Sequence, residues 1–109
     1  MSAPSCFVFY GVKKAVATDE RPLLARRTSP DFKEARRLGL DLYWGVFEEE
    51  DNYQKFIGKQ IAMLGPEDVL VSSIDFSSLE TIARRVDKVL ADAKIDGTPK
   101  LWLEWMPNE

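Results

Sequence analysis

Four consecutive acidic residues form the densest group of ionisable side chains in the sequence: Glu48, Glu49, Glu50 and Asp51. Carboxylates can hold a divalent cation, and a pair of them can hydrolyse a glycosidic bond. This acidic run does not have the spacing of an EF-hand loop, and neighbouring side chains in a tight turn point in different directions. We therefore interpret it as a solvated turn whose negative charge steers a basic protein partner.

The sequence lacks the residues on which most enzymes depend. Histidine, the commonest general base and metal ligand, is absent, and Cys6 is the single cysteine. Cys6 opens an apolar segment without a histidine to activate it, so we interpret it as a buried hydrophobic residue. The segment Gly58-Lys59-Gln60 lacks the earlier glycine and the final Ser or Thr of a phosphate-binding loop. We predict no cofactor and no metal, and favour a protein without catalytic activity; an enzyme that relies on carboxylates, tyrosine or arginine alone remains an alternative.

Arginine pairs occur at three places: Arg26-Arg27, Arg36-Arg37 and Arg84-Arg85. Domains that bind nucleic acid usually carry a positive net charge, whereas the net charge of this chain is -3. We therefore predict no binding of nucleic acid. A local site for an anion or an acidic partner at one of these pairs stays open.

The compartment is inferred from what the chain does not contain. No stretch approaches the ~20 apolar residues that span a membrane, and the N-terminus lacks the basic region of a signal peptide. A single cysteine allows no internal disulfide. We expect a cytoplasmic protein that does not bind membranes.

Aromatic side chains are concentrated in two places. Four of them surround one predicted hairpin: Tyr43, Trp44, Phe47 and Tyr53. The last predicted strand alternates between two sets, Leu101, Leu103 and Trp105 on one face and Trp102, Glu104 and Met106 on the other. Core packing explains most of these rings, but two helices need not cover both faces of a sheet. An uncovered aromatic face would bind a ligand or a partner, and Trp44, Trp102 and Glu104 are our candidates for it.

The first half of the chain is predicted to fold as a strand, a helix and a hairpin. Residues 6–12 are apolar at both parities, which is typical of a strand buried on both faces. Residues 19–28 are predicted to form a loop, with one short helical turn after Pro22 as an alternative, and Ser29-Pro30-Asp31 then predicts a helix start. Residues 40–47 and 53–58 predict a hairpin around the acidic run. Residues 53–64 also fit a helical period, but Gly58 favours the strand.

The second half predicts a strand, a long helix and a final strand. Residues 69–76 are rich in strand formers, and Ser77-Ser78-Leu79-Glu80 matches the capping box that begins a helix. That helix carries one apolar stripe, formed by Leu79, Ile82, Ala83, Val86, Val89, Leu90 and Ala93. A turn at 96–99 then leads into the last strand at 100–106.

These elements follow the order β-α-β-β-β-α-β. They predict a single α+β domain spanning residues 1–109, a two-layer sandwich of two helices on a largely antiparallel five-stranded sheet. The order resembles the ferredoxin-like arrangement with one extra strand. That architecture hosts many unrelated activities, so it does not indicate a function.

Two functional hypotheses follow from the sequence. The leading one is a non-catalytic protein-binding module, such as a small acidic inhibitor or immunity-type protein, in which the acidic run steers association and Trp44 or Trp102 anchors it. The alternative is a regulatory domain that binds a small molecule in an aromatic-lined pocket of at least about 300 Å³ between sheet and helices. Self-association as a homodimer, through an edge strand or through the exposed aromatic face, is compatible with both hypotheses and with the enzyme alternative.

Overall fold

The computed structural model describes residues 5–46, 53–64 and 75–106. Four strands form one sheet: β1 Ser5–Ala15, β2 Asp41–Val46, β3 Tyr53–Leu64 and β4 Lys100–Met106. Three α-helices and a 3-10 turn complete the described elements: α1 Arg21–Ala25, α2 Pro30–Arg37, α3 Phe76–Asp92 and the turn Thr18–Glu20. The α+β class predicted from the sequence is confirmed.

The sheet has the order β2-β3-β1-β4, and all of its neighbouring strands are antiparallel. With α2 between β1 and β2 and α3 between β3 and β4, the larger elements follow β-α-β-β-α-β. This order resembles the split β-α-β, or ferredoxin-like, arrangement. It leaves β2 and β4 as the two edge strands of the described sheet.

The predicted fifth strand at 69–76 is not part of the described sheet, which has four strands. Residues 69–74 lie outside the described residues, and the end of that segment begins α3 instead. The carboxylate of Asp75 accepts a hydrogen bond from the backbone N–H of Ser78 at 3.1 Å, so Asp75 is the N-cap. The predicted start of the helix at Ser77 is therefore two residues too late.

The predicted number of two helices is too low, because Arg21–Ala25, within the predicted loop at 19–28, forms α1. The short helical turn that the sequence allowed after Pro22 lies in this helix. Pro22 lies in the first turn of α1, where its missing N–H leaves no helical hydrogen bond unmade. Leu24 supplies the reason for this short helix, since its side chain is almost completely buried. The apolar burial of one leucine stabilises a helix that is too short to form alone.

The other predicted elements are confirmed by their contacts. The hydroxyl of Ser29 accepts a hydrogen bond from the N–H of Phe32 at 3.0 Å and caps α2. Gly39 follows α2 with a φ of 72°. Residues 53–64 form the strand β3, which pairs with β2 as the predicted hairpin.

Strand β1 is buried on both faces. On the helix side, Val12 packs with Ile57 of β3 and with Val86 and Leu90 of α3. The hydroxyl of Tyr10, on the same side, donates a hydrogen bond to Asp87 of α3 at 2.7 Å. Burial, followed by this hydrogen bond, raises the pKa of Tyr10 to about 12. These contacts fix α3 above β1 and β3.

The opposite side of the sheet carries an aromatic cluster, formed by Phe7, Phe9 and Phe56. Their ring centroids are 5.2 to 5.7 Å apart, within the range of favourable aromatic pairs. All three rings are 0% exposed. This cluster therefore forms part of the core, and the burial of Phe7 and Phe9 agrees with the prediction that residues 6–12 are covered on both faces.

The two central strands approach each other closely at Gly11 and Gly58, which are paired across β1 and β3. Their φ angles are 155° and 157°. A Cβ atom at Gly11 would lie 2.1 Å from the carbonyl oxygen of Ile57, and one at Gly58 would lie 2.1 Å from that of Tyr10. Both positions therefore require glycine, which explains why Gly58 does not interrupt the strand.

We predict that Gly11→Ala lowers the free energy of unfolding by about 3 kcal/mol or more, because the new methyl group overlaps the backbone of β3 at an unfavourable φ. Urea unfolding of wild type and variant measures the difference in the free energy of unfolding. Gly39→Ala is the matched control, since its positive φ costs about 1–2 kcal/mol but no atom lies within 4 Å of the added Cβ. Equal losses in the two variants would contradict the close approach of β1 and β3.

Candidate functional site: the two edges of the sheet

The helix side of β4 exposes two leucines. In the register with β1, Leu103 is opposite Val8 and Leu101 is opposite Tyr10. Val8 is buried, whereas Leu103 is 64% exposed and Leu101 is 39% exposed. The difference arises because α3 packs on β1 and β3, so its cover does not extend to β4.

The outer edge of β4 pairs with no other strand among the described residues. A free edge presents backbone N–H and C=O groups to any other extended chain. Natural sheets usually protect such an edge with proline, a bulge or several charged residues. Lys100 and Glu104 lie at either side of its centre, but the central residues Leu101-Trp102-Leu103 contain none of these devices. Among the described residues, β4 is therefore an open strand edge flanked by apolar side chains.

The other face of β4 is firmly attached to the sheet. The indole N–H of Trp102 donates a hydrogen bond to the carbonyl oxygen of Gly11 at 2.8 Å. Glu104 pairs with Lys13 of β1 at 2.9 Å, and the Lys13 ammonium lies 5.3 Å from the centre of the Trp102 ring. These contacts hold β4 against β1, so its edge is a rigid surface.

A groove of about 1090 Å³ lies at the opposite edge, between β2 and the segment that contains α1 and α2. Its lining residues include the cationic Arg27 and Arg36 and the aromatic Phe32 and Trp44. Tyr43 also borders the groove, but its ring packs on Phe7 on the other face of the sheet, with 4.5 Å between the ring centres. Arg27 has a positive φ of 59°, and its guanidinium lies 5.9 Å from the centre of the Phe32 ring. This combination of cations and rings suits an anionic group attached to a flat apolar one.

Lys55 anchors the helical wall of this groove to the sheet. Its side chain is 7% exposed, and its ammonium lies 2.5 Å from both Glu20, before α1, and Asp31 in α2. Burial alone lowers the pKa of Lys55, but the hydrogen bonds and charges of Asp31 and Glu20 outweigh it and raise the pKa. The guanidinium of Arg21 adds a second contact, 3.9 Å from the centre of the Tyr53 ring.

The structure separates the aromatic candidates that the sequence grouped together. Trp44 lies on β2 and Trp102 on β4, at opposite edges of the sheet. Trp44 is paired with Lys55 of β3, and Trp102 is paired with Phe9 of β1. These pairings also place the two tryptophans on opposite faces of the sheet. Glu104 lies near Trp102 on β4 and forms an ion pair with Lys13.

The acidic run, Glu48, Glu49, Glu50 and Asp51, lies outside the described residues. Its role in steering a basic partner therefore stays a prediction. In the described part of the chain, no three His, Cys, Asp or Glu side chains are close enough to hold a metal ion. No described helix has the length and apolar character to cross a membrane.

Sequence reasoning did not identify Leu101 and Leu103 as site residues. Their shared face was visible from the alternation of β4, but their exposure depends on where α3 packs. The sequence indicates the arginines of the groove as an anion site only within the pairs Arg26-Arg27 and Arg36-Arg37. Their convergence depends on the turn between α1 and α2, where Arg27 adopts its positive φ.

We predict that Lys55→Met lowers the free energy of unfolding by about 2–3 kcal/mol at pH 7, because Glu20 and Asp31 lose their shared cation. The loss is below that for a fully buried pair, since Asp31 is 40% exposed. The folded-state pKa of Lys55 is raised above 10.5. The difference in the free energy of unfolding between wild type and variant, measured with urea, should therefore stay constant from pH 7 to 9. It should decline as the pH rises through the folded-state pKa of Lys55.

Lys59→Met is the control for this measurement. Lys59 is exposed and lies 3.7 Å from Asp41, an arrangement that contributes about 0.5 kcal/mol or less. Similar losses of stability in the two methionine variants would show that the network around Lys55 does not anchor α1 and α2.

Comparison of the chain with models of protein families, with curated proteins and with solved structures finds no match. A functional conclusion must therefore come from this chain's own geometry. Two features carry it: the open edge of β4 with its exposed leucines, and the groove beside β2.

Proposed function

We propose that this protein is a non-catalytic protein-binding domain whose contact surface is the outer edge of β4 together with Leu101 and Leu103. One observation carries the proposal: Leu103 is 64% exposed on an edge strand that is otherwise rigidly held. Burying a leucine side chain stabilises a complex by roughly 1.5–3 kcal/mol. A partner strand added to β4 gains that burial and pairs the free backbone groups at the same time.

The shape of this surface favours a polypeptide over a small molecule. An exposed strand edge is a linear row of hydrogen-bonding groups, and an extended chain is the ligand that matches its spacing. The leucines then select apolar side chains at alternate positions of the partner. Among the described residues of β4, the one carboxylate, Glu104, is paired with Lys13, so this surface offers binding groups rather than a reactive one.

The groove beside β2 supports a second candidate function, the binding of a small anionic molecule. Its volume of about 1090 Å³ is above the roughly 300 Å³ at the lower end of the range for ligand sites. Arg27 and Arg36 supply positive charge, and Phe32 and Trp44 supply flat apolar surface. Both arginines are exposed, so the interaction with an anion would be screened by salt. We therefore place this function second.

We predict that Leu103→Lys abolishes binding of the protein partner, because it puts a charge in the centre of the apolar strip. Native mass spectrometry of each variant, purified gently from the protein's own source, measures the bound species. Leu23→Lys is the matched control: Leu23 is 40% exposed but lies on α1, away from β4. We expect wild type and the control to carry a stoichiometric polypeptide, and Leu103→Lys to appear as a bare chain.

Two results would contradict the proposal. One is a partner that stays bound to Leu103→Lys as it does to wild type, since its contact surface would then lie elsewhere. The other is a wild-type chain that carries only a small molecule, lost on combined Arg27→Gln and Arg36→Gln substitution. That result would transfer the function to the groove beside β2.

A further inference from the structure

We propose that the partner of the β4 edge is a second copy of this chain, joined by antiparallel pairing of the two β4 strands about a two-fold axis at Trp102. The inference rests on the proposed function, because it names the occupant of the same edge. Most oligomers of soluble proteins are symmetric dimers in which the same patch of both subunits is in contact. Such a patch must be complementary to itself.

The residues Lys100-Leu101-Trp102-Leu103-Glu104 have this self-complementarity. When two copies run antiparallel with Trp102 at the centre, each Lys100 is opposite the Glu104 of the other copy. Each Leu101 is likewise opposite a Leu103. Opposite charges and apolar pairs directly across two strands both stabilise the pairing.

The faces of the sheet agree with this register. Directly opposed residues of an antiparallel pair point to the same face. Lys100, Trp102 and Glu104 share the aromatic side of the sheet, and Leu101 and Leu103 share the helix side. The exposed leucines of both copies therefore meet on one face, while the charges meet on the other.

The two charged groups differ in their surroundings: the side chain of Glu104 is 17% exposed, and the ammonium of Lys100 lies 5.6 Å from the centre of the Trp102 ring of its own strand. Lys100 is exposed, and among the described residues no carboxylate lies within ion-pair distance of its ammonium. Glu104 contacts Lys13 through Oε1. A carboxylate can accept several hydrogen bonds, so Glu104 can serve the Lys100 of a second copy as well.

Other pairings lack this complementarity. Shifting the axis to Leu103 places Lys100 opposite Met106 and leaves it without an acid. The other edge strand, β2, carries Asp41 but no cation, so two β2 strands cannot form matched ion pairs. Pairing of two β4 strands about an axis at Trp102 is therefore the register that places the opposite charges next to each other.

The resulting dimer extends the sheet continuously from one chain into the next. A contact of five residues on each side is small beside the roughly 800 Å² per partner of a standard stable interface. We therefore expect a dimer that dissociates on dilution. Its formation should depend on concentration and on the two charged residues.

The test is sedimentation velocity on the full chain over a range of concentrations. Wild type should approach twice the chain mass of 12.4 kDa at high concentration. Lys100→Glu and Glu104→Lys each place two pairs of like charges across the axis. Each variant alone should show a dissociation constant raised roughly tenfold or more.

An equimolar mixture of the two variants provides the decisive sample. In a mixed dimer, Glu at position 100 of one chain faces Lys at position 104 of the other, and the remaining pair is the native Glu104 with Lys100. Association should therefore return towards the wild-type level in the mixture only. Lys33→Glu, an equal change of charge on α2, should leave the dimer unchanged.

Circular dichroism controls for folding, because Glu104→Lys also removes the partner of Lys13. Lys100→Glu breaks no ion pair among the described residues, so it tests the register even if Glu104→Lys unfolds.

A wild-type chain that stays monomeric while a different protein is lost on Leu103→Lys overturns self-pairing and leaves the proposed function standing. A dimer that is insensitive to Leu103→Lys and to Lys100→Glu overturns both. A dimer that Leu103→Lys abolishes but Lys100→Glu does not affect overturns this register alone.

Discussion

The structure depends on a central strand that must be covered on both faces and paired at both edges. Phe7, Phe9 and Val12 of β1 are all fully buried, so each face of the strand needs its own layer. Valine and isoleucine side chains meet α2 and α3 on one side, and aromatic rings form the layer on the other. Strands β3 and β4 occupy its two edges. The glycine pair Gly11–Gly58 lets β3 approach closely enough to share both layers.

The same requirement explains why β4 is only half covered. Strand β4 is tied to β1 on the aromatic side by the indole of Trp102 and by the pair of Glu104 with Lys13. On the helix side, α3 is placed over β1 and β3 through their core residues and through the Tyr10–Asp87 hydrogen bond. Leu101 and Leu103 are beyond its reach. The rigid attachment of one face and the exposure of the other make β4 suitable for binding another chain.

Local signals predicted the elements that depend on nearby residues. Ser29 and Pro30 start α2 as the sequence indicates, and the apolar stripe of α3 faces the core. The sequence left the outcome open where it depends on distant residues. Whether 53–64 was strand or helix was uncertain because Gly58 meets its partner Gly11, 47 residues earlier in the chain, only in the folded sheet. The exposure of Leu103 likewise depends on the position of α3, which alternation within β4 cannot reveal.

The most direct test of β4 as the contact surface is hydrogen exchange of its backbone amides, followed in wild type at low and high protein concentration. We predict that amides of Lys100–Glu104 directed away from β1 exchange more slowly at high concentration, because a second β4 strand accepts their hydrogen bonds. The amides of the other edge strand, β2, should exchange at the same rate at both concentrations. Exchange of β4 that is independent of concentration, or slowing confined to β2, would contradict the assignment of this edge as the surface that binds a second copy.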